Sequence, residues 1–242
     1  MAYFDSERGE VVVRIVYDGL ATAGKTQNLR ALHRAFSRRA NGDVYVPAET
    51  ATGRTLYFDW LELSAGRIED WPLRCQIVTV PGQFAYAARR FRLLREIDGV
   101  VLVCESTPRG IEAARVASVF LGRALDACAN SRVPIVFQAN KQDLPDALAP
   151  SEVASRLGLS ERRRLVPASA IHGDGVRETL LGTLDLVRER VRDRVRGDRA
   201  RTLLPVSASA QELYEAMLAQ DDAEEGDAMA ALDAALRAVN TP

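Results

Sequence analysis

The stretch that most restricts how this chain can fold is a short apolar run, Val11 to Tyr17, that ends in a glycine-bounded loop. The loop reads Gly19-Leu20-Ala21-Thr22-Ala23-Gly24-Lys25-Thr26 and opens into a segment of helical spacing, with Leu29, Leu32, His33 and Phe36 on one stripe. A strand, a G-x-x-x-x-G-K-T loop and a helix in that order form a phosphate cradle, because loop N–H groups and the positive helix end converge on one point. The chain must then place this strand inside a sheet with helices packed on it. Of the 32 cationic side chains only two are lysine, Lys25 in this loop and Lys141 in Asn140-Lys141-Gln142-Asp143. A compact ammonium on a thin stem survives where the planar arginine fork is a poor replacement.

The rest of the chain alternates in the same way. After the helix at 25–39 and a polar segment at 40–53, Thr55 to Leu63 reads as a strand. Ala65 to Pro72 reads as a turn and Leu73 to Val80 as the returning strand, broken by Pro81-Gly82. Phe84 to Glu96 is a basic amphipathic helix. Gly99 to Cys104 and Val133 to Ala139 are continuous apolar strands of the kind buried on both faces. Ile111 to Cys128, Ser151 to Leu157 and Val176 to Arg196 are helical, and Leu165 to Ala168 is a short strand. This order predicts an α/β domain with a mostly parallel six-stranded sheet, one antiparallel edge strand and helices on both faces. The expected organisation is a flexible N-terminus over 1–9, a domain over 10–197 and a helical C-terminal extension over 198–242.

Composition narrows the partners. A net charge of −1 gives no case for nucleic acid. No apolar stretch approaches the roughly 20 residues that span a bilayer, and neither Ala2 nor the Val-Asn-Thr-Pro end fits a direct lipid anchor. Cys75, Cys104 and Cys128 are odd in number and scattered, as expected of free thiols in a reducing cytoplasm.

The second lysine motif follows a buried strand. Asp143 there can accept both donors of a guanine edge, N1–H and the exocyclic amine, a pair that adenine does not present. Asn140 can bond the loop and the base edge, and the Lys141 stem can cover the base face. Ser169 would brace the next loop, and the Ala170 N–H suits the guanine O6. Between the motifs, Gly82 can offer an N–H to a γ-phosphate, Gln83 can orient an attacking water, and Thr26 and Thr55 can both give hydroxyls to Mg²⁺. Arg54 can act as an arginine finger in cis. These residues predict binding of GTP/GDP with Mg²⁺. A module that holds nucleotide without turning it over, and a P-loop ATPase or kinase, remain open on the same residues, with Asn140 and Asp143 arguing against the latter.

The full series resembles the bacterial MglA group of small Ras-superfamily GTPases over about residues 10 to 196. The resemblance rests on Ile15-Val-Tyr, Lys25-Thr-Gln-Asn-Leu29, Arg54-Thr-Leu-Tyr-Phe-Asp59, Thr79-Val-Pro-Gly-Gln83, Gln138-Ala-Asn-Lys-Gln-Asp-Leu-Pro145 and Pro167-Ala-Ser-Ala170. Thr79 is the most specific part, since most Ras relatives carry an aspartate there to hold the Mg²⁺ shell. The resemblance implies a polarity or motility switch, an intrinsic arginine finger at Arg54 and a Roadblock-type dimer as activating partner, with effectors unknown and recruitment to a pole or membrane surface by partners. Two features depart from it. Ala21 and Thr22 stand where relatives usually carry at least one glycine, which suggests slow hydrolysis. The chain also continues past Arg188–Arg201, a run of seven arginines against three acids. In that extension Ser209 and Glu212 make a capping-box pattern ahead of Leu213 and Met217, and Met229, Leu232, Leu236 and Val239 make a second helical seam. Packing on the chain's own domain and docking of a partner are both open for these helices.

Overall fold

The computed structural model describes residues 2–46, 58–80, 82, 87–128, 130–195 and 209–218. The strands are β1 (Tyr3–Asp5), β2 (Glu10–Asp18), β3 (Trp60–Ile68), β4 (Trp71–Thr79), β5 (Gly99–Glu105), β6 (Ile135–Asn140) and β7 (Leu165–Pro167). The helices are α1 (Lys25–Ala35), α2 (Ala87–Arg95), α3 (Pro108–Ala127), α4 (Pro150–Arg156), α5 (Val176–Val195) and α6 (Ala210–Leu218). The sheet order is β3-β4-β2-β5-β6-β7, with β1 paired to β2. The five strands from β4 to β7 run parallel, and β3 is the antiparallel edge.

The sheet has seven strands where six are expected. The added one is β1, antiparallel to the start of β2 within the segment read as a flexible N-terminus. Asp98 holds it there. Its buried carboxylate accepts from the Ala2 N–H at 2.6 Å and the Arg14 N–H at 3.0 Å.

The predicted turn over 65–72 is also corrected. β3 continues to Ile68 and turns through Glu69 and Asp70 into β4. Ala65 and Gly66 mimic a turn because they form a bulge, where the register shifts between Ser64 and Arg67 and Gly66 takes φ 88°. The first helix stops at Ala35 and passes into a 3₁₀ turn at Ser37–Arg39.

Alternation along the strands sorts the core into two layers. Val11, Val13, Ile15 and Tyr17 of β2 face α1 and α5, against Leu29, Leu32, Leu180, Leu184 and Val187. Val16, Val78, Val100 and Leu102 face α2 and α3, against Phe91, Leu94, Ala117, Phe120 and Leu121. Leu213 and Met217 of α6 are buried in this second layer, so the described part of the extension packs on its own domain. Ser209 caps α6 by accepting from the Glu212 N–H at 3.2 Å. The seam at 229–239 lies outside the described residues.

Candidate nucleotide site

The carboxyl ends of β2, β4, β5, β6 and β7 gather at one edge of the sheet, where open α/β folds bind ligands. The phosphate loop leaves β2 at Asp18. Gly24 caps α1 in a left-handed conformation (φ 102°), and a Cβ there would sit 2.2 Å from Asn140 Nδ2, so only glycine lets the two loops meet. Thr22 also takes a positive φ, 67°, as a β-branched residue. That backbone is why glycine is the expected residue in this loop.

Lys25 is buried, and its Nζ donates to the Gly19 carbonyl at 2.7 Å and the Leu20 carbonyl at 2.8 Å. Burial draws its pKa down to about 8 against the opposing pull of Asp18. These two bonds hold the ammonium at the mouth of the loop and use two of its three N–H donors. A cation this desolvated, at the N-terminus of α1, suits a phosphate that restores its charge. Gly82 lies directly against the loop. Its carbonyl accepts from the Ala21 N–H at 3.0 Å, and a Cβ on it would fall 2.3 Å from Ala21 N and 2.6 Å from Lys25 Nζ. A phosphate oxygen that uses the Ala21 N–H must displace this carbonyl. A cleft of about 320 Å³ lies against the loop on the α3 side, lined by Leu20 to Ala23, Glu105 and Arg109.

The hydroxyl expected to hold a metal, Thr26, donates to Asp59 Oδ2 at 2.6 Å. The Thr79 hydroxyl donates to the same oxygen at 2.9 Å and accepts from the Asp59 N–H at 2.8 Å. Asp59 is fully buried just before β3. The carboxylate absent from the end of β4 is therefore supplied from the neighbouring strand. The sequence string that holds Asp59 was legible, but its meeting with Thr26 and Thr79 depends on the antiparallel β3–β4 pairing. Donating its proton to Asp59 turns the oxygen of the Thr26 hydroxyl into an acceptor able to face a cation. Hydroxyl, carboxylate and phosphate oxygens form a donor set that fits Mg²⁺.

Asp18 is a second residue that sequence reading missed. It is fully buried and faces Arg90 of α2 through two contacts, Nη2 to Oδ2 at 2.8 Å and Nε to Oδ1 at 2.7 Å. Its Oδ1 also accepts from the Gly19 N–H at 2.7 Å. Arg90 lies 4.4 Å from the Phe120 ring centroid. The basic helix α2 thus turns one arginine inward and fastens itself to the root of the phosphate loop.

The base-side residues meet as their order predicts. Asn140 is buried; its Nδ2 donates to the Ala23 carbonyl at 2.7 Å and its Oδ1 accepts from the Ala170 N–H at 3.0 Å. It ties the phosphate loop to the loop after β7. The Ala170 N–H expected at O6 is engaged by Asn140. Lys141 takes φ 66°, and its Nζ pairs with Glu105 Oε2 at 2.6 Å, which stretches the stem across the site. Asp143 stays exposed. The Ser169 hydroxyl donates to it at 2.5 Å and holds its carboxyl below the usual range. Arg54, Thr55 and Gln83 lie outside the described residues.

The sheet order, the phosphate loop and the Asn140–Asp143 loop are those of a Ras-like G domain. Comparison with known proteins agrees. Residues 75–185 match the family described as "Arf: ADP-ribosylation factor family". The mutual gliding-motility protein MglA of Myxococcus xanthus is 34% identical over 192 residues, 96% of that protein and 77% of this chain. ADP-ribosylation factor-like protein 1 of Saccharomyces cerevisiae is 28% identical over 181 residues, 88% of that protein and 73% of this chain. Human ADP-ribosylation factor-like protein 4A is 34% identical over 98 residues, 48% of that protein and 38% of this chain. The chain belongs to the MglA-like family of small Ras-superfamily GTPases. Among the described residues no helix is long and apolar enough to cross a membrane.

Proposed function

We propose that this chain is a Mg²⁺-dependent GTP/GDP switch that serves cell polarity or motility. The observation that carries the reading is the buried Asn140 bridge, which fixes the phosphate loop and the Ala170 loop after β7 at one spacing, beside Asp143. In this reading Asp143 selects guanine, Lys25 and the loop N–H groups from Ala21 to Thr26 hold the phosphates, and Thr26, Thr55 and Asp59 hold or orient the metal. Mg²⁺, when bound, neutralises charge on the phosphate oxygens. Gly82 exchanges its carbonyl contact with Ala21 for an N–H directed at the terminal phosphate. Gln83 orients the attacking water, and Arg54 stabilises the charge that develops on the γ-phosphoryl group. Segments 44–59 and 82–95 change conformation with the nucleotide.

Hydrolysis is slow without a partner, because Ala21 and the strained Thr22 crowd the phosphate loop. The relative's printed name, mutual gliding-motility protein, supports the biological setting, and the family resemblance supports a Roadblock-type dimer as activator. A second reading, a guanine-nucleotide-binding module with almost no turnover, is favoured by the same Ala21 and Thr22. Single-turnover GTP hydrolysis with and without such a dimer separates the two. Hydrolysis stimulated by the dimer and lost in Arg54→Ala and Gln83→Leu supports the switch. An unstimulated, near-zero rate supports the module. Displacement of bound GDP by ATP as readily as by GTP refutes both.

A further inference from the structure

Between α1, β6 and α5 three polar side chains, Asn28, Gln138 and Thr179, are fully enclosed. Asn28 and Gln138 pair amide to amide. Asn28 Nδ2 donates to Gln138 Oε1 at 2.9 Å, and Gln138 Nε2 donates back to Asn28 Oδ1 at 2.9 Å. The remaining proton on each nitrogen leaves the pair in a different direction. Asn28 Nδ2 donates to the Gly24 carbonyl at 3.0 Å, and Gln138 Nε2 donates to Thr179 Oγ1 at 3.0 Å. The Thr179 hydroxyl passes its own proton to the Gly175 carbonyl at 2.7 Å. Both ends fix the polarity of this chain of bonds. Carbonyls only accept, so Asn28 must turn its nitrogen to Gly24, and Thr179, whose one proton goes to Gly175, can only accept from Gln138.

Apolar side chains of matching shape can fill such a space at little or no loss of stability. What the polar set alone supplies is a second donor on the Gly24 carbonyl, which also accepts from the Asn28 N–H at 3.0 Å. In a trans peptide the carbonyl and the following N–H point in opposite directions. Asn140 holds the Ala23 carbonyl at 2.7 Å. Gln138, on the same face of β6, holds Asn28 on the Gly24 carbonyl. With these two successive carbonyls drawn inward, the N–H groups of Gly24 and Lys25 point the other way, as donors at the open end of α1. The far end of the chain is also firmly seated. A Cβ on Gly175 would lie 2.0 Å from the Pro167 carbonyl. The neighbouring Asp174 carbonyl accepts from the N–H of Ser169, whose hydroxyl holds Asp143.

We propose that Asn28, Gln138 and Thr179 are positioning residues for a bound diphosphate, a buried relay that sets the Gly24 and Lys25 N–H groups and ties their direction to the loop after β7. The inference deepens the GTP/GDP reading and rests on it. The two loops are then joined twice, by Asn140 directly and by the relay through α1 and α5.

Release of a fluorescent GDP analogue from the full chain with excess Mg²⁺ tests the relay, in the parent, Thr179→Val, Asn28→Ala and the double variant. Thr179→Val keeps the side chain's shape and removes its hydroxyl. It should speed release by about 2–10-fold, and Thr179→Ser, which keeps the hydroxyl, should recover most of the parental rate. Asn28→Ala should speed release by about tenfold. In the Asn28→Ala background Thr179→Val should add nothing, because its route to Gly24 is already cut, whereas two groups that support the fold independently add. Phosphorus NMR of bound GDP gives a second readout. The β-phosphate resonance should move in Thr179→Val and return in Thr179→Ser. Additive effects in the double variant overturn the relay. So do a parental release rate and β-phosphate resonance in Thr179→Val, a result that stands even where Asn28→Ala fails to fold. A parent that binds no GDP overturns the GTP/GDP reading, and the relay with it.

Discussion

Asp59→Asn is the sharpest probe of the metal shell, because it changes one buried atom type and almost no volume. Two hydroxyls, Thr26 at 2.6 Å and Thr79 at 2.9 Å, donate to a single carboxylate oxygen. Hydrogen bonds to a charged acceptor contribute about 1.5–3 kcal/mol and neutral ones about 0.5–1.5. Neutralising the acceptor therefore costs about 1 kcal/mol for each hydroxyl, about 2 kcal/mol in all. Groups that orient metal ligands typically change metal affinity by about 10–100-fold when removed, which is about 1.4–2.7 kcal/mol and agrees with the hydrogen-bond sum. The assay is release of a fluorescent GDP analogue, with excess Mg²⁺ and with a chelator. In the parent, Mg²⁺ should slow release strongly. In Asp59→Asn that slowing should shrink by about 10–100-fold while the chelator rate stays put. Thr79→Val, which removes one donor, should lie between. Parental Mg²⁺ retention in Asp59→Asn would falsify the claim that Asp59 replaces the missing carboxylate of β4.

Lys25 titrates at about 8 in the folded protein against an ordinary 10.5, so between those values the unfolded chain carries more protons and stability without nucleotide rises with pH. Phosphate restores the lysine's charge, so GDP binding should take up a proton above about pH 8 and weaken as pH rises; calorimetry in buffers of different ionisation heat measures this, and no proton uptake at pH 9 counts against it. Asp143→Asn should reduce GDP affinity by about 1.5–3 kcal/mol, the loss of a charged hydrogen bond, and unchanged GDP titration would defeat the guanine assignment. Arg90→Ala strips the buried Asp18 carboxylate of its guanidinium, leaving the Gly19 N–H as a neutral donor, and should lower stability by about 3–5 kcal/mol, against less than about 1 kcal/mol for the exposed Arg95→Ala; similar denaturant midpoints for the two would refute the clamp.

Periodicity and motif order carried the fold, because every strand of the parallel sheet is an apolar run and each crossover helix has its stripe. β1 escaped notice because its three residues pair through backbone and depend on Asp98, 96 positions from Ala2. The hairpin was misread because a glycine inside a bulge has the composition of a turn. In the site, local strings gave the phosphate and base loops, where function depends on adjacent backbone. Sequence did not give Asp59 and Asp18 their roles, because each acts on a partner brought in by the sheet or by α2. The inward turn of Arg90 was hidden among α2's other arginines, since composition cannot tell an arginine bound to a buried carboxylate from one in water.

The distribution of primary amines has an experimental consequence. Beyond the amino terminus, the chain's side-chain amines are Lys25 and Lys141, the first enclosed by the phosphate loop and the second paired with Glu105. Acylating reagents aimed at amines therefore become footprints of one site. Phosphate bound at the loop should shield Lys25, and the thirty arginines do not react with such reagents, so a mass increment on one peptide would read occupancy. Lysine-directed proteolysis has the same economy, with two cleavage points that both report on how tightly the site is closed.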